Sequence, residues 1–183
     1  MKDIMLDLET LGVDSHSVIT TISAVQFDLV TGEIGSQFEC SVDWQEQVDS
    51  GAIVNMETIR WWLLQSKEAI STMLKNSPVG AVEACILFNK WLNSLGLENI
   101  KDVSIWGNGA TFDNVILRNM YHRHKMVFLV PFWGDQDVRT LVKLSGVNIK
   151  EINFDGIKHY GIDDCKHQIK YCHKCFKELR ADK

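Results

Sequence analysis

The sequence predicts an α/β domain in which strands come first and helices follow. Three observations carry that expectation. Residues 4–42 hold three runs with apolar or β-branched alternation, joined by short polar turns, as in a strand meander. Residues 79–95 and 162–179 repeat apolar side chains at steps of three and four, the helical period. Residues 102–106 form a short buried-type strand that runs through Gly107-Asn108-Gly109 into a helix opened by Asp113. Such a unit projects a helix-start carboxylate from the end of a sheet, where α/β proteins place their sites.

The first strand, residues 4–8, leads into Asp7-Leu8-Glu9-Thr10-Leu11-Gly12. Side chains alternate along a strand, so Asp7 and Glu9 share a face. Two acids side by side in an apolar strand repel each other and resist desolvation, which a cation relieves. An exposed strand end explains the same pair without a cation. Residues 18–27 and 33–42 supply the second and third strands, with a turn over 28–32. Residues 43–51 read as a polar loop.

Asn55 caps an expected helix over 56–66 that carries Trp61, Trp62 and Gln65. Neighbours on a helix point about 100° apart, so the two tryptophans face different surroundings, two parts of a core or a core and a groove. In the helix expected over 79–95, Val82, Cys85, Ile86, Asn89 and Leu92 are spaced as one face, with Gly96 just past the end. Ile116, Leu117 and Met120 form the inner face of the helix opened by Asp113. Residues 126–132 suit a strand or a buried extended segment. Asp137 opens a further helix ending near Gly146, where Arg139 reads as a local ion-pair partner rather than a phosphate contact.

The last helix carries Ile162, Cys165, Ile169, Cys172, Phe176 and Leu179 on one apolar face. Cys165 and Cys172 then behave as small core residues. A zinc site from Cys165, His167, Cys172, His173 and Cys175 is the rival, but one continuous helix spreads these side chains around its axis. Asp164, near the helix start, also suits a capping role, and His159 a surface loop.

One domain over 1–183 is the natural size, and a formal charge of −5 argues against a broad basic surface gripping long duplexes. A small cleft for a strand end remains open. The five cysteines are odd in number and do not suggest a disulfide framework. Met1-Lys2-Asp3 reaches an acid at once, unlike a signal peptide, and the apolar run 126–133 is too short to span a bilayer. A cytoplasmic protein without membrane association is the expectation.

Taken together, Asp7-Leu8-Glu9, Asp113 within Gly109-Ala110-Thr111-Phe112-Asp113-Asn114, and His159 followed by Asp164 resemble the DEDDh 3′–5′ exonucleases of the ribonuclease-H-like superfamily. The segments Trp61 to Ser66, Phe132-Trp133 with Asp137-Val138-Arg139-Thr140, and His159 to Cys165 are similar to the ribonuclease T-like phage exonuclease A group. The resemblance runs from about Met5 to Cys172. It implies a ribonuclease-H-like fold, a mixed five-stranded sheet flanked by helices.

The resemblance also implies two divalent ions, Mg²⁺ or Mn²⁺, held by Asp7, Glu9, Asp113 and Asp164, with Asp7 bridging them. His159 would be the base, and 5′-mononucleotides would leave a single-stranded 3′ end. Leu8, Glu9, Thr10 and Leu11 would lie against the terminal nucleotide, with Trp61, Trp62, Gln65 and Asn108 as further contacts. The phage-type resemblance favours DNA over RNA. The alternatives are an exoribonuclease, an endonuclease with the same chemistry, and a catalytically weak module that only binds nucleic-acid ends. Related exonucleases are often homodimers. Where the family often has Ala-Leu, this chain has Gly161-Ile162, and glycine there is expected to loosen the loop carrying His159.

Overall fold

The fold was analysed in a computed structural model that describes residues 1–74 and 77–181. The predicted meander is present as β1 (Asp3–Thr10), β2 (Ile19–Phe27) and β3 (Ile34–Ser41). These join β4 (Ser104–Gly107) and β5 (Asp135–Asp137) in one sheet of order β3-β2-β1-β4-β5. β1 pairs antiparallel with β2 and parallel with β4, and β5 is parallel to β4, so the sheet is mixed. The C-terminal ends of β1 and β4 lie side by side, and the conserved logic of α/β sheets puts chemistry at such an edge.

Helices cover both faces. On one side α4 (Ala81–Ser94) and α5 (Asp113–Arg123) pack on Ile4, Leu6, Leu8, Ile22 and Ile105. On the other, α6 (Val138–Ser145) and α7 (Gly161–Ala181) pack on Met5, Val25, Phe27 and Trp106. β2 is therefore buried along its whole length, which is why it reads as a continuous β-branched run. Residues 182 and 183, at the end of the predicted last helix, lie outside the described residues.

Several expectations give way to the structure. Residues 43–51 are not all loop: Asp43 caps a short helix, α1 (Trp44–Asp49), by accepting from the Glu46 N–H. The helix expected over 56–66 is two, α2 (Met56–Trp62) and α3 (Lys67–Met73), because Ser66 turns its hydroxyl onto the Ala69 N–H and starts a new helix. The inner face of α4 is Ala84, Cys85, Phe88, Trp91 and Leu92, whereas Val82 and Ile86 are 40 % exposed. The bulky rings decide the rotation, with Phe88 meeting Phe38 of β3 edge to face at 5.1 Å. Residues 126–132 form no strand. The chain bends at Leu129 and Val130 and turns into a short 3-10 turn at Phe132, while the Arg118 guanidinium binds the Val130 and Pro131 carbonyls. The fifth strand is the polar triplet Asp135–Asp137, which only its backbone pairing with β4 makes a strand.

One buried polar side chain holds the sheet where the site begins. The β1–β2 register shifts so that Glu9 faces Thr21 but Thr10 faces Ile19. Gln47 of α1, fully buried, accepts from the Ile19 N–H at 3.0 Å and donates to the Ile19 and Asp43 carbonyls at 2.7 and 2.8 Å. Gln47→Leu strands those backbone groups in the interior and is expected to cost about 2–4 kcal/mol, read as a lowered midpoint in urea unfolding.

Candidate active site

The site is assembled from four chain segments meeting at the end of β1. Alternation along β1 aims Asp7 and Glu9 at the α7 side of the sheet, opposite Ser23 and Thr21 of β2. Asp113 is the first residue of α5 and only 4 % exposed. Its carboxylate accepts from the Leu8 N–H of β1 and the Asn108 N–H of the β4–α5 turn, both at 3.1 Å. Asp164 stands in the first turn of α7. Ligand atoms of Glu9, His159 and Asp164 lie within 4.8 Å of one another.

Burial raises all four carboxyls above their ordinary range, and like charge adds to it for Asp7, Glu9 and Asp164. Desolvation is the larger cause for each, with Asp113 repelling Asp7, and Asp7, Asp164 and Asp113 repelling Glu9. Asp164 is pushed up to about 7 by burial and by Asp7, against the His159 N–H that favours its charge. The Gln168 amide, one helical turn beyond Asp164, donates to Asp7 at 2.9 Å. No hydrogen bond reaches the Glu9 carboxylate among the described residues, and Asp164 keeps a buried oxygen without a partner. Hard, anionic oxygens crowded in this way fit divalent cations such as Mg²⁺ or Mn²⁺.

His159 precedes α7 with φ of 65°, a left-handed conformation that histidine adopts more readily than most residues. Its ring packs edge-on against Trp61 at 5.0 Å and Trp62 at 5.9 Å, and its carbonyl accepts from the Thr72 hydroxyl at 3.2 Å. Burial and Lys158 hold the imidazole below its usual pKa, so it is neutral near pH 7 and free to accept a proton.

Gly161 does not loosen this loop. It is the buried first residue of α7, and a Cβ there would sit 2.6 Å from the Ser23 Cβ. The glycine lets α7 close onto β2, bringing Asp164 and Gln168 to Asp7. Gly161→Ala is expected to cost about 1–3 kcal/mol, and Ser23→Gly in the same chain to recover part of it, measured as a double-mutant cycle of urea midpoints.

The predicted substrate contacts divide. Leu8, Glu9, Thr10, Trp61 and Trp62 line a cavity of about 440 Å³ beside the acids, together with Asn55, Thr58 and Phe112. Trp61 is 44 % exposed and is one wall of that cavity. Trp62 is 3 % exposed, and its indole N–H binds the Thr10 carbonyl at 2.9 Å, which fixes the cavity wall. Asn108 lines a second cavity across the cluster. Leu11 instead packs with Val18, Ala52 and Trp62 in a separate apolar cluster. Gln65 lies outside both cavity linings and donates to the Trp61 carbonyl. Arg139 makes no ion pair with Asp137 among the described residues; Asp137 caps α6 and accepts from the Ala110 N–H.

Sequence reasoning missed Gln168, Ser23 and Thr72. Only the position of Gln168, four residues after Asp164, hinted at a shared helix face. The zinc alternative has no support: Cys165, Cys172 and Cys175 are free and buried, and the trio Glu9, His159 and Asp164 is the sole metal-type cluster among the described residues.

A model of the Rv2179c-like 3′–5′ exoribonuclease domain matches residues 2–176. The exodeoxyribonuclease of Enterobacteria phage T4 is 22 % identical over 198 residues, covering 92 % of this chain and 86 % of that protein. The nuclease domain of 3′hExo, a DEDDh family member bound to rAMP, superposes with a TM-score of 0.65 at 12 % identity, over 96 % of this chain and 91 % of its own. E. coli exonuclease I with a dT13 oligonucleotide gives 0.65 at 12 % identity, over 98 % of this chain and 42 % of its own. Among the described residues no helix is long and apolar enough to cross a membrane.

The raised carboxyls set a pH dependence for the cation-free protein. A carboxyl with a folded pKa above its unfolded value binds more protons folded than unfolded, so stability falls as pH rises between the two. For Asp164 that window runs from 3.8 to about 7. In EDTA, the melting temperature is expected to fall across this window, and added Mn²⁺ to raise it more at neutral pH than in acid, measured by calorimetry.

Proposed function

The chain belongs to the Rv2179c-like 3′–5′ exoribonuclease domain family and is a 3′–5′ exonuclease of the DEDDh type, and on that premise we propose that it hydrolyses single-stranded 3′ ends by a two-metal mechanism. The observation that carries the reading is the convergence of Glu9, His159 and Asp164 within 4.8 Å beside Asp7 and Asp113. Asp7, Glu9, Asp113 and Asp164 would hold two divalent ions, Mg²⁺ or Mn²⁺. When bound, such ions lower the pKa of water and stabilise charge on the attacking and leaving oxygens.

The rest falls to the chain's own groups. The terminal nucleotide lies in the cavity walled by Leu8, Thr10 and Trp61. Trp61 stacks on its base, a contact worth about 1–3 kcal/mol that accepts any base. Neutral His159 takes the proton of the attacking water as the new P–O bond forms and the bond to the leaving 3′-oxygen breaks. The product is a 5′-mononucleotide, and the shortened strand offers a new 3′ end.

DNA is the substrate favoured first, supported by the likeness to a phage exodeoxyribonuclease along most of both chains. RNA is the second reading, supported by the description of the family itself. Matched 3′-labelled DNA and RNA strands, digested with Mg²⁺ or Mn²⁺ and sized on a gel, distinguish the two. Asp7→Ala is expected to abolish mononucleotide release, and His159→Ala to lower it by about 10²–10⁴-fold. EDTA is expected to stop the wild type. Undiminished digestion in EDTA would refute the metal mechanism.

A further inference from the structure

A second cavity, of about 530 Å³, opens across the acid cluster from the one assigned to the last nucleotide. Its walls include Asn108, Lys150, Phe154, Lys158 and His167, with His159 and Asp164 at its inner end. The two cavities meet at the site: Glu9 lines the first, Asp164 the second, and the His159 ring leans on Trp61 of the first. A strand with its last nucleotide beside Glu9 and its scissile phosphate at the acids has this second cavity as its way out.

The charges around that exit are unusual for this chain. The ion pairs seen among the described residues are Arg118 with Asp135 and Lys170 with Asp155. Lys150 and Lys158 are exposed and make none, and neither does Arg139. The Arg139 guanidinium lies 3.6 Å from where a Cβ of Gly109 would stand, next in sequence to the cavity-lining Asn108. Lys158 lines the cavity and acts electrostatically on His159, Asp164 and His167. On a chain with a net charge of −5, Lys150 and Lys158 line this opening and Arg139 stands beside it; none of the three makes a salt bridge among the described residues, although Arg139 attracts Asp113 and Asp137 and Lys158 attracts Asp164. The floor is aromatic: Phe154 and His167 stand 4.8 Å apart, His167 meets Tyr171 at 5.4 Å, and the buried His167 Nδ1 has no partner.

We propose that Arg139, Lys150 and Lys158 hold the phosphates upstream of the cut, over the floor formed by Phe154 and His167. The proposal rests on the exonuclease reading and adds the track by which a strand longer than two nucleotides is gripped. Phosphate contacts carry no base information, so the track accepts any sequence. Each contact releases counterions, which makes binding depend on salt.

The test compares a dinucleotide, which has no phosphate beyond the one cut, with a strand of about twelve nucleotides. Wild type, Arg139→Gln, Lys150→Gln and Lys150→Arg are assayed on both across a salt series. On the long strand, each glutamine variant is expected to raise KM several-fold and to flatten the slope of log kcat/KM against log salt by about 0.7. The advantage of the long strand over the dinucleotide should shrink in step, and Lys150→Arg should keep the wild-type slope. Unchanged slopes and length preference in glutamine variants, with the wild type digesting both substrates, would overturn the track. A wild type that digests neither substrate with Mg²⁺ or Mn²⁺ would instead count against the exonuclease reading. A merely structural role for Lys150 would lower kcat/KM equally at every salt concentration and on both substrates, and would also overturn the proposal.

Discussion

Repulsion among Asp7, Glu9, Asp113 and Asp164 is the constraint on which the rest of the site depends. Four carboxylates cannot share a half-buried corner unless something offsets their charge. The fold offsets them unequally. Asp113 receives two backbone N–H groups, Asp7 one side-chain amide, and Asp164 the N–H of His159. Glu9 receives no donor among the described residues and feels all three of the others. It is therefore the acid that a cation relieves most. The protein's own hydrogen bonds orient three ligands and leave the fourth to be satisfied by what binds.

That division explains why the elements approach so closely. β1 is the middle strand, so both its neighbours lend backbone to the site. α5 starts right after the β4 turn, where Gly107 leaves room for Asp113 and Asn114. α7 comes in from the opposite face, and Gly161 lets its first turn touch Ser23. Neither glycine has positive φ. Both are there because a side chain would hold apart two acids that have to meet. Trp61, Trp62 and Thr72 do the corresponding work for His159, gripping a loop residue from α2 and α3.

Much of this was legible in the chain. Alternation along β1 placed Asp7 and Glu9 on one face without any knowledge of the fold, and the strand–turn–helix pattern put Asp113 at the sheet edge. Their meeting with His159 and Asp164 was not legible from local pattern, because it depends on packing between segments far apart in the chain; the family resemblance supplied it. Local pattern failed where side-chain volume or backbone pairing decides. Phe88 and Trp91 rotated α4, and β5 carries no apolar signal at all. No local pattern singles out Gln47 or Gln168, yet each fills bonds that only the folded chain creates. Leu11 sits one residue beyond the register shift of β1, and its side chain turned into a separate core rather than toward the cavity.

The same charges bear on how a strand arrives. A chain of net charge −5 with four acids at its site repels a polyanion. Screening weakens that repulsion at distances beyond about 10 Å in ordinary salt, so the decisive balance is local. Next to the acids, Lys150 and Lys158 line the cavity on one side, and Trp61 lines the cavity on the other. The carboxylates oppose a phosphate for as long as their charge is unbalanced. Ion binding and strand binding are then linked in free energy: whatever factor the ions add to affinity for the strand, the strand adds to affinity for the ions. Selectivity for an end follows from the same geometry. In the proposed reading, a terminal nucleotide would lie in the cavity at Trp61 beside the acids, while phosphates further along the strand would meet the cations on the other side and be held away from the reacting corner.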